Sequence, residues 1–140
     1  MDEKNLTEEG SAAEGALPSD YVAGIPFAEL PLSDELQRAI AEHGYTHPTP
    51  VQAQAIPKVL AGGDLIVRSK TGTGKTAAFS IPMLEKIPAG SRKAQALVLC
   101  PTRELAIQVA EEATQLARFK DLRVVAIYGG APMGAQVTAL

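Results

Sequence analysis

The sequence predicts an α/β protein, a parallel sheet flanked by helices, preceded by a helical region and a disordered acidic tail. Three short apolar runs with strand character, at residues 65–68, 96–100 and 122–128, alternate with segments whose apolar residues recur at helical spacing. That order, strand, helix, strand, helix, strand, implies parallel strands joined by right-handed crossovers with helices on the sheet faces. A glycine-containing loop at residues 69–76 separates the first run from the helix after it, where ligands gather in sheets of this kind.

Taken in order, residues 1–24 read as the tail. They hold six acids and one base, with too little apolar surface to offset the entropy of ordering. The formal net charge of −3 takes its sign from them, because the remaining 116 residues carry 12 bases and 10 acids. That weakly basic balance permits RNA binding without arguing for it. The polar, acidic start is unlike a signal peptide, and no apolar run approaches the roughly 20 residues of a membrane helix. A cytoplasmic protein with no membrane partner is therefore expected. At 140 residues and 46% hydrophobic content the chain is at most one domain with material for a core. The single cysteine, Cys100, ends an apolar run and reads as a small buried hydrophobe.

The first helix has Ser33 as its N-cap, Asp34 and Glu35 in the first turn, and Leu36, Ala39 and Ile40 on one face; Gly44 ends it. The second starts at Thr49 with Pro50 in its first position and Gln52 placed to close a capping box, and ends at Gly62-Gly63, with a kink expected at Pro57. The helix after Thr102 sets Leu105, Val109, Ala113 and Leu116 on one side. Asp64 and Asp121 precede their strands, at the edge away from the loops. His43 and His47 do not read as a metal pair, because Gly44 and Pro48 break the helix that would align them and no acidic or cysteine partner accompanies them.

The segment Ser69-Lys70-Thr71-Gly72-Thr73-Gly74-Lys75-Thr76 follows a strand and opens a helix, the context a phosphate-binding loop requires. Its glycines let backbone N–H groups turn toward phosphate oxygens, backed by the positive end of the following helix. Lys75 would reach the β- and γ-phosphates and the Thr76 hydroxyl would complete a Mg²⁺ shell. A plain strand-to-helix turn would explain the glycines but not the adjacent Lys-Thr. Ser69 stands where the strict pattern has glycine, which points away from a generic nucleotide kinase or GTPase.

Over about residues 27–130 the sequence resembles the DEAD-box ATP-dependent RNA helicases. Phe27 followed by Gly44-Tyr45-Thr46-His47-Pro48-Thr49-Pro50-Val51-Gln52 is similar to the family's Q motif, and Ser69 to Thr76 to motif I, where the family usually has alanine at the position of Ser69. Pro101-Thr102-Arg103-Glu104-Leu105-Ala106 is similar to motif Ia, and Gly129-Gly130 to the glycine pair that follows it. The resemblance implies a partial RecA-like fold, divided as tail 1–24, Q-motif region 25–53 and truncated ATP-binding domain 54–140. It implies ATP and Mg²⁺ at Ser69 to Thr76, adenine recognition by Gln52, stacking by Phe27, and sequence-blind RNA backbone contacts from Pro101, Thr102, Arg103, Gly129 and Gly130. A glutamine amide offers the donor and acceptor together that adenine matches. Local readings stand beside each assignment: a capping box for Gln52, core packing for Phe27, an N-cap and a surface arginine for Thr102 and Arg103, a turn for the glycine pair.

Phosphoryl transfer also needs a carboxylate to hold Mg²⁺ and a residue to orient water. No strand here ends in Asp, and the family's Asp-Glu-Ala-Asp box, its Ser-Ala-Thr motif and its second domain are not in these 140 residues. The expectation is a chain that binds nucleotide without hydrolysing it alone, with an exposed apolar sheet edge and a tendency to aggregate. The alternatives are a non-enzymatic nucleotide or RNA-binding module and a P-loop enzyme of another class.

Overall fold

The structure, a computed structural model, describes residues 24–140; the expected acidic tail lies almost wholly outside the described residues. Among the described residues a 3₁₀ turn at Phe27–Glu29 leads into five helices: α1 (Asp34–Glu42), α2 (Pro50–Leu60), α3 (Lys75–Lys86), α4 (Arg103–Leu116) and α5 (Met133–Ala139). α3 is central, packing on α2 and α4 and touching α1. Ala77, Ala78, Ile81, Pro82 and Leu84 are all buried, so this short helix presents little but apolar surface to its neighbours. The core joins Phe27, Leu36 and Ile40 to Ile56, Ile81, Leu84, Leu116 and Ala117, with Leu122 and Val124 packed against it. It therefore draws on residues from both sides of the anticipated division at residue 53. Among the described residues no helix is long and apolar enough to cross a membrane.

The expected parallel sheet is corrected. Residues 65–68, 96–100 and 122–128 run between the helices as expected, but among the described residues none is paired as a strand. Apolar pattern marks a segment as ready for burial, whereas a strand exists only with a neighbour in register to take its N–H and C=O groups. The side chains show the same lack of cover: Ile66 is 99% exposed, Leu97 83% and Leu99 85%. Cys100, at the end of the second run, is half-buried rather than buried.

Helix ends follow local chemistry with one substitution of partners. Thr49 accepts from the Gln52 N–H while the Gln52 side chain accepts from the Thr49 N–H, closing the capping box of α2. At α1, Ser33 is the N-cap residue but its side chain makes no cap bond. Its N–H and hydroxyl both donate to Glu85 Oε2 on α3, at 3.0 and 2.9 Å, so a carboxylate 52 residues away anchors the start of α1 and takes up the hydroxyl. α1 ends as anticipated at Gly44, φ 85°, where Gly44 and Tyr45 donate to Ala41 and Ile40. α2 continues past Pro57, which faces solvent, to Leu60. Two ammonium groups then satisfy terminal carbonyls: Lys86 donates to Val59 at the end of α2, and Lys120 to Leu84 and Glu85 at the end of α3.

Two side chains in this framework are energetically exposed to simple change. Ser80 is fully buried on α3 and its hydroxyl has no partner among the described residues. An unsatisfied buried hydroxyl costs about 1–3 kcal/mol and alanine is the better helix former, so Ser80→Ala is expected to stabilise the protein by about 1 kcal/mol, read as a higher urea midpoint. A fall in that midpoint would contradict it. Glu112 on α4 accepts from the Tyr45 hydroxyl at 3.5 Å, and Tyr45 in turn stacks on Phe27 and meets the edge of His43. Burial pushes the Glu112 carboxyl above its ordinary value, opposed by the charge of His43 and the Tyr45 hydrogen bond. A raised carboxyl favours the fold when protonated, a contribution present below the unfolded-state value and lost as pH rises through the folded-state value. Glu112→Gln is therefore expected to stabilise the protein at neutral pH and to match the parent below about pH 4, read from melting at several pH values.

Candidate functional site

The residues singled out as a phosphate loop form a turn between residue 68 and α3, and its shape is held by its own side chains. Thr73 Oγ1 donates to the Lys70 carbonyl at 2.9 Å and pairs with the Ser69 hydroxyl. Ser69, the departure from glycine at this position, is thus accommodated and tied into the turn. Lys75 folds back so that its ammonium donates to the Ser69 and Lys70 carbonyls, at 2.5 and 2.8 Å. Thr76 follows as the second residue of α3, half-buried, and Lys70, Thr71 and Gly72 are exposed. α3 opens at Gly74 with no side-chain cap, so its first N–H groups and the positive end of its dipole face the turn.

The Q-like segment is clasped onto this turn. Gln52 Nε2 donates to the Gly74 carbonyl at 3.1 Å and Thr49 Oγ1 to the Thr73 carbonyl at 2.8 Å. The two residues that cap α2 therefore also fix the start of α3. Gly74 has φ 84°, and a Cβ there would collide with the Gln52 amide nitrogen, so the close approach requires glycine twice over. Sequence reasoning placed Gln52 near the loop and treated Thr49 only as a cap; nothing short of the folded backbone signals its second bond. Beside the turn a groove of about 450 Å³ runs between α2 and residues 65–70, and Lys58, Arg68 and Lys70 line it. Three cations around one concavity create a field that attracts polyanions.

Phe27 lies elsewhere. Its side chain is 2% exposed in the core and its N–H donates to Thr46. Gln37 Nε2 donates to its carbonyl at 2.8 Å. The ring offers no open face, so its relation to the loop runs through the segment 44–52 that it anchors. His43 and His47 are both exposed, and among the described residues no group of three or more His, Cys, Asp or Glu side chains is placed to hold a metal ion.

The remaining predicted residues come together at the start of α4. Thr102 caps the helix, accepting from the Leu105 N–H at 3.2 Å, and Pro101 precedes it on the surface. Arg103 is exposed and, among the described residues, paired only with its exposed neighbour Glu104, a contact worth little in water. Gly130, φ 85°, lies under the Arg103 guanidinium, since a Cβ there would sit 3.3 Å from Nη1. Residues 27 positions apart in sequence thus share one exposed patch. Gln136 on α5, absent from the sequence-based set, reaches the backbone on both sides of the glycine pair. No periodicity or motif marks it, because its partners are main-chain atoms.

With this geometry in hand the chain can be set beside known proteins. The DEAD/DEAH box helicase family profile matches residues 49–140. The DEAD-box ATP-dependent RNA helicase CshA of Bacillus licheniformis is 51% identical over 116 residues, 83% of this chain and 24% of that protein. Among solved structures, a DEAD box protein from the hyperthermophile Methanococcus jannaschii superposes with a TM-score of 0.77 at 43% identity, covering 82% of this chain and 32% of that one. A hypothetical ATP-dependent RNA helicase from Sulfolobus tokodaii gives 0.69 at 41% identity, covering 77% and 31%. The chain spans about a quarter of the length of the curated relative it matches, and its trace follows the RecA-like domain of its structural neighbours although its strand segments are unpaired. A profile match over most of the chain, on residues that include both the clasped turn and the Arg103 patch, shows that this chain belongs to the DEAD/DEAH box helicase family.

Proposed function

We propose that this chain provides the ATP-binding part of an ATP-dependent RNA helicase, in which the turn at Ser69 to Thr76 receives the phosphates and Gln52 senses the adenine. The observation that carries the reading is the pair of hydrogen bonds from Thr49 and Gln52 to the carbonyls of Thr73 and Gly74. They join a base-sensing candidate directly to a phosphate-binding candidate. The Lys75 ammonium, now spent on the Ser69 and Lys70 carbonyls, is free to exchange those neutral acceptors for charged phosphate oxygens, which make stronger hydrogen bonds. The uncapped start of α3 supplies N–H donors to the same anion.

Mg²⁺ would be held here by the Thr76 hydroxyl, in the first turn of α3, as an ion shared with the nucleotide. When bound it would neutralise phosphate charge. Phe27 contributes by holding the segment 44–52 through Thr46 and Tyr45, in place of stacking on a base. RNA is the second ligand: Arg103 and the α4 N-terminus present a cation and N–H groups to a phosphate, and Gly129 and Gly130 let a backbone approach. Binding of nucleotide and RNA, without hydrolysis by these 140 residues alone, is the activity proposed for the chain; unwinding belongs to the whole protein.

Two variants test this reading. Lys75→Ala is expected to weaken binding of a fluorescent ATP analogue by about tenfold or more, or 1.4 kcal/mol, and unchanged affinity would refute the phosphate site. Gln52→Ala removes both the clasp and the base contact, so the informative quantity is the ratio of ATP to GTP affinity. Loss of the clasp alone weakens both nucleotides equally, whereas adenine recognition predicts that the preference for ATP collapses. Competition titrations with the two nucleotides separate the cases.

A further inference from the structure

Gln136 makes more hydrogen bonds to backbone than its place on a seven-residue surface helix requires. α5 has no buried residue, so packing contributes little to holding it. Yet the Gln136 side chain accepts from the Tyr128 N–H at 2.9 Å and donates to the Tyr128 carbonyl at 3.1 Å and the Ala131 carbonyl at 3.4 Å. One primary amide thus occupies both main-chain groups of a single residue, the pairing that a neighbouring strand would otherwise offer. Its contacts fall immediately before and immediately after Gly129-Gly130. Those two glycines carry no side chain to fix them, both are exposed, and Gly130 lies against Arg103.

We propose that Gln136 is a positioning residue for RNA binding, holding the Gly129-Gly130 turn by its two ends so that its backbone and the Arg103 guanidinium present one surface to a phosphate. The inference rests on the reading of Arg103 as an RNA contact and adds to it the residue that sets the geometry. The chemistry is specific to an amide of this length. Glutamate would keep the bond from the Tyr128 N–H and lose the donation to both carbonyls, and asparagine is one methylene short. The bonds do not serve the core, because neither α5 nor the turn contributes a buried side chain. The group they do organise is the exposed patch at the start of α4.

The test is a double-mutant cycle on RNA affinity, measured by fluorescence anisotropy with a short labelled oligouridylate at fixed salt, using the whole chain in the presence of nucleotide. Gln136→Met keeps size and helix propensity and removes all three bonds. It is expected to weaken RNA binding about fivefold, in line with losing hydrogen bonds that fix a contact rather than make it. Because Gln136 acts through the patch, the double variant Gln136→Met/Arg103→Ala should bind no more weakly than Arg103→Ala alone. Parent-like binding by Gln136→Met overturns the proposal, and so does an additive loss in the double variant. If Arg103→Ala binds as tightly as the parent, or the parent itself fails to bind, the RNA reading falls and this inference with it. Should Gln136→Met lose its helical circular-dichroism signal, Gln136→Asn takes its place under the same criteria.

Discussion

The structure depends on a pair of side chains that cap one helix and begin another. Thr49 and Gln52 close a reciprocal box at the start of α2, and the same hydroxyl and amide donate onward to the carbonyls of Thr73 and Gly74. The distance between them and the turn leaves no room for a Cβ at Gly74, so α2 and α3 meet where a glycine permits it. Once that contact is made, the apolar side of α3 is aligned with α2, α1 and α4, and the core from Phe27 to Ala117 closes around it. Stability and the placing of the turn are thereby one problem with one solution.

Electrostatics sharpens the picture at the two ends of α3. Lys86 lies in the last turn and Lys120 caps the final carbonyls, so cations sit at the negative end of the dipole, where they are favourable. Lys75, the first residue, puts a cation at the positive end, where it is unfavourable by a few tenths to about 1 kcal/mol. Its retreat onto the Ser69 and Lys70 carbonyls relieves part of that conflict. The two ends of α3 thus differ, with cations favourable at its last turn and one held off the dipole by carbonyls at its first.

Much of the helical framework was legible from the chain because caps are local. Thr49, Pro50, Gly44 and Gly62 act within three or four residues of the helix they delimit, and the structure reproduces each. Ser33 was legible as a position and not as a bond, because its partner Glu85 is remote in sequence. The strand segments were located correctly as apolar runs but not as a sheet, since pairing is a relation between segments that no single run contains. The candidate site divides in the same way. The turn at 69–76 and its neighbour Gln52 could be read from spacing and family pattern, whereas Thr49, Phe27 and Gln136 do their work through main-chain contacts that leave no mark on residue type.

The span of the core in sequence has a consequence for how the protein comes to be. Synthesis delivers the amino end first, and Phe27, Leu36 and Ile40 are then without Leu116 and Ala117, the residues that complete their surroundings. Until α4 has been made, these early side chains can pack only with α2 and α3, and the surface they share with Leu116 and Ala117 stays uncovered. A core whose parts lie about ninety residues apart closes late by its connectivity, because contacts distant in sequence cost the most loop entropy to form.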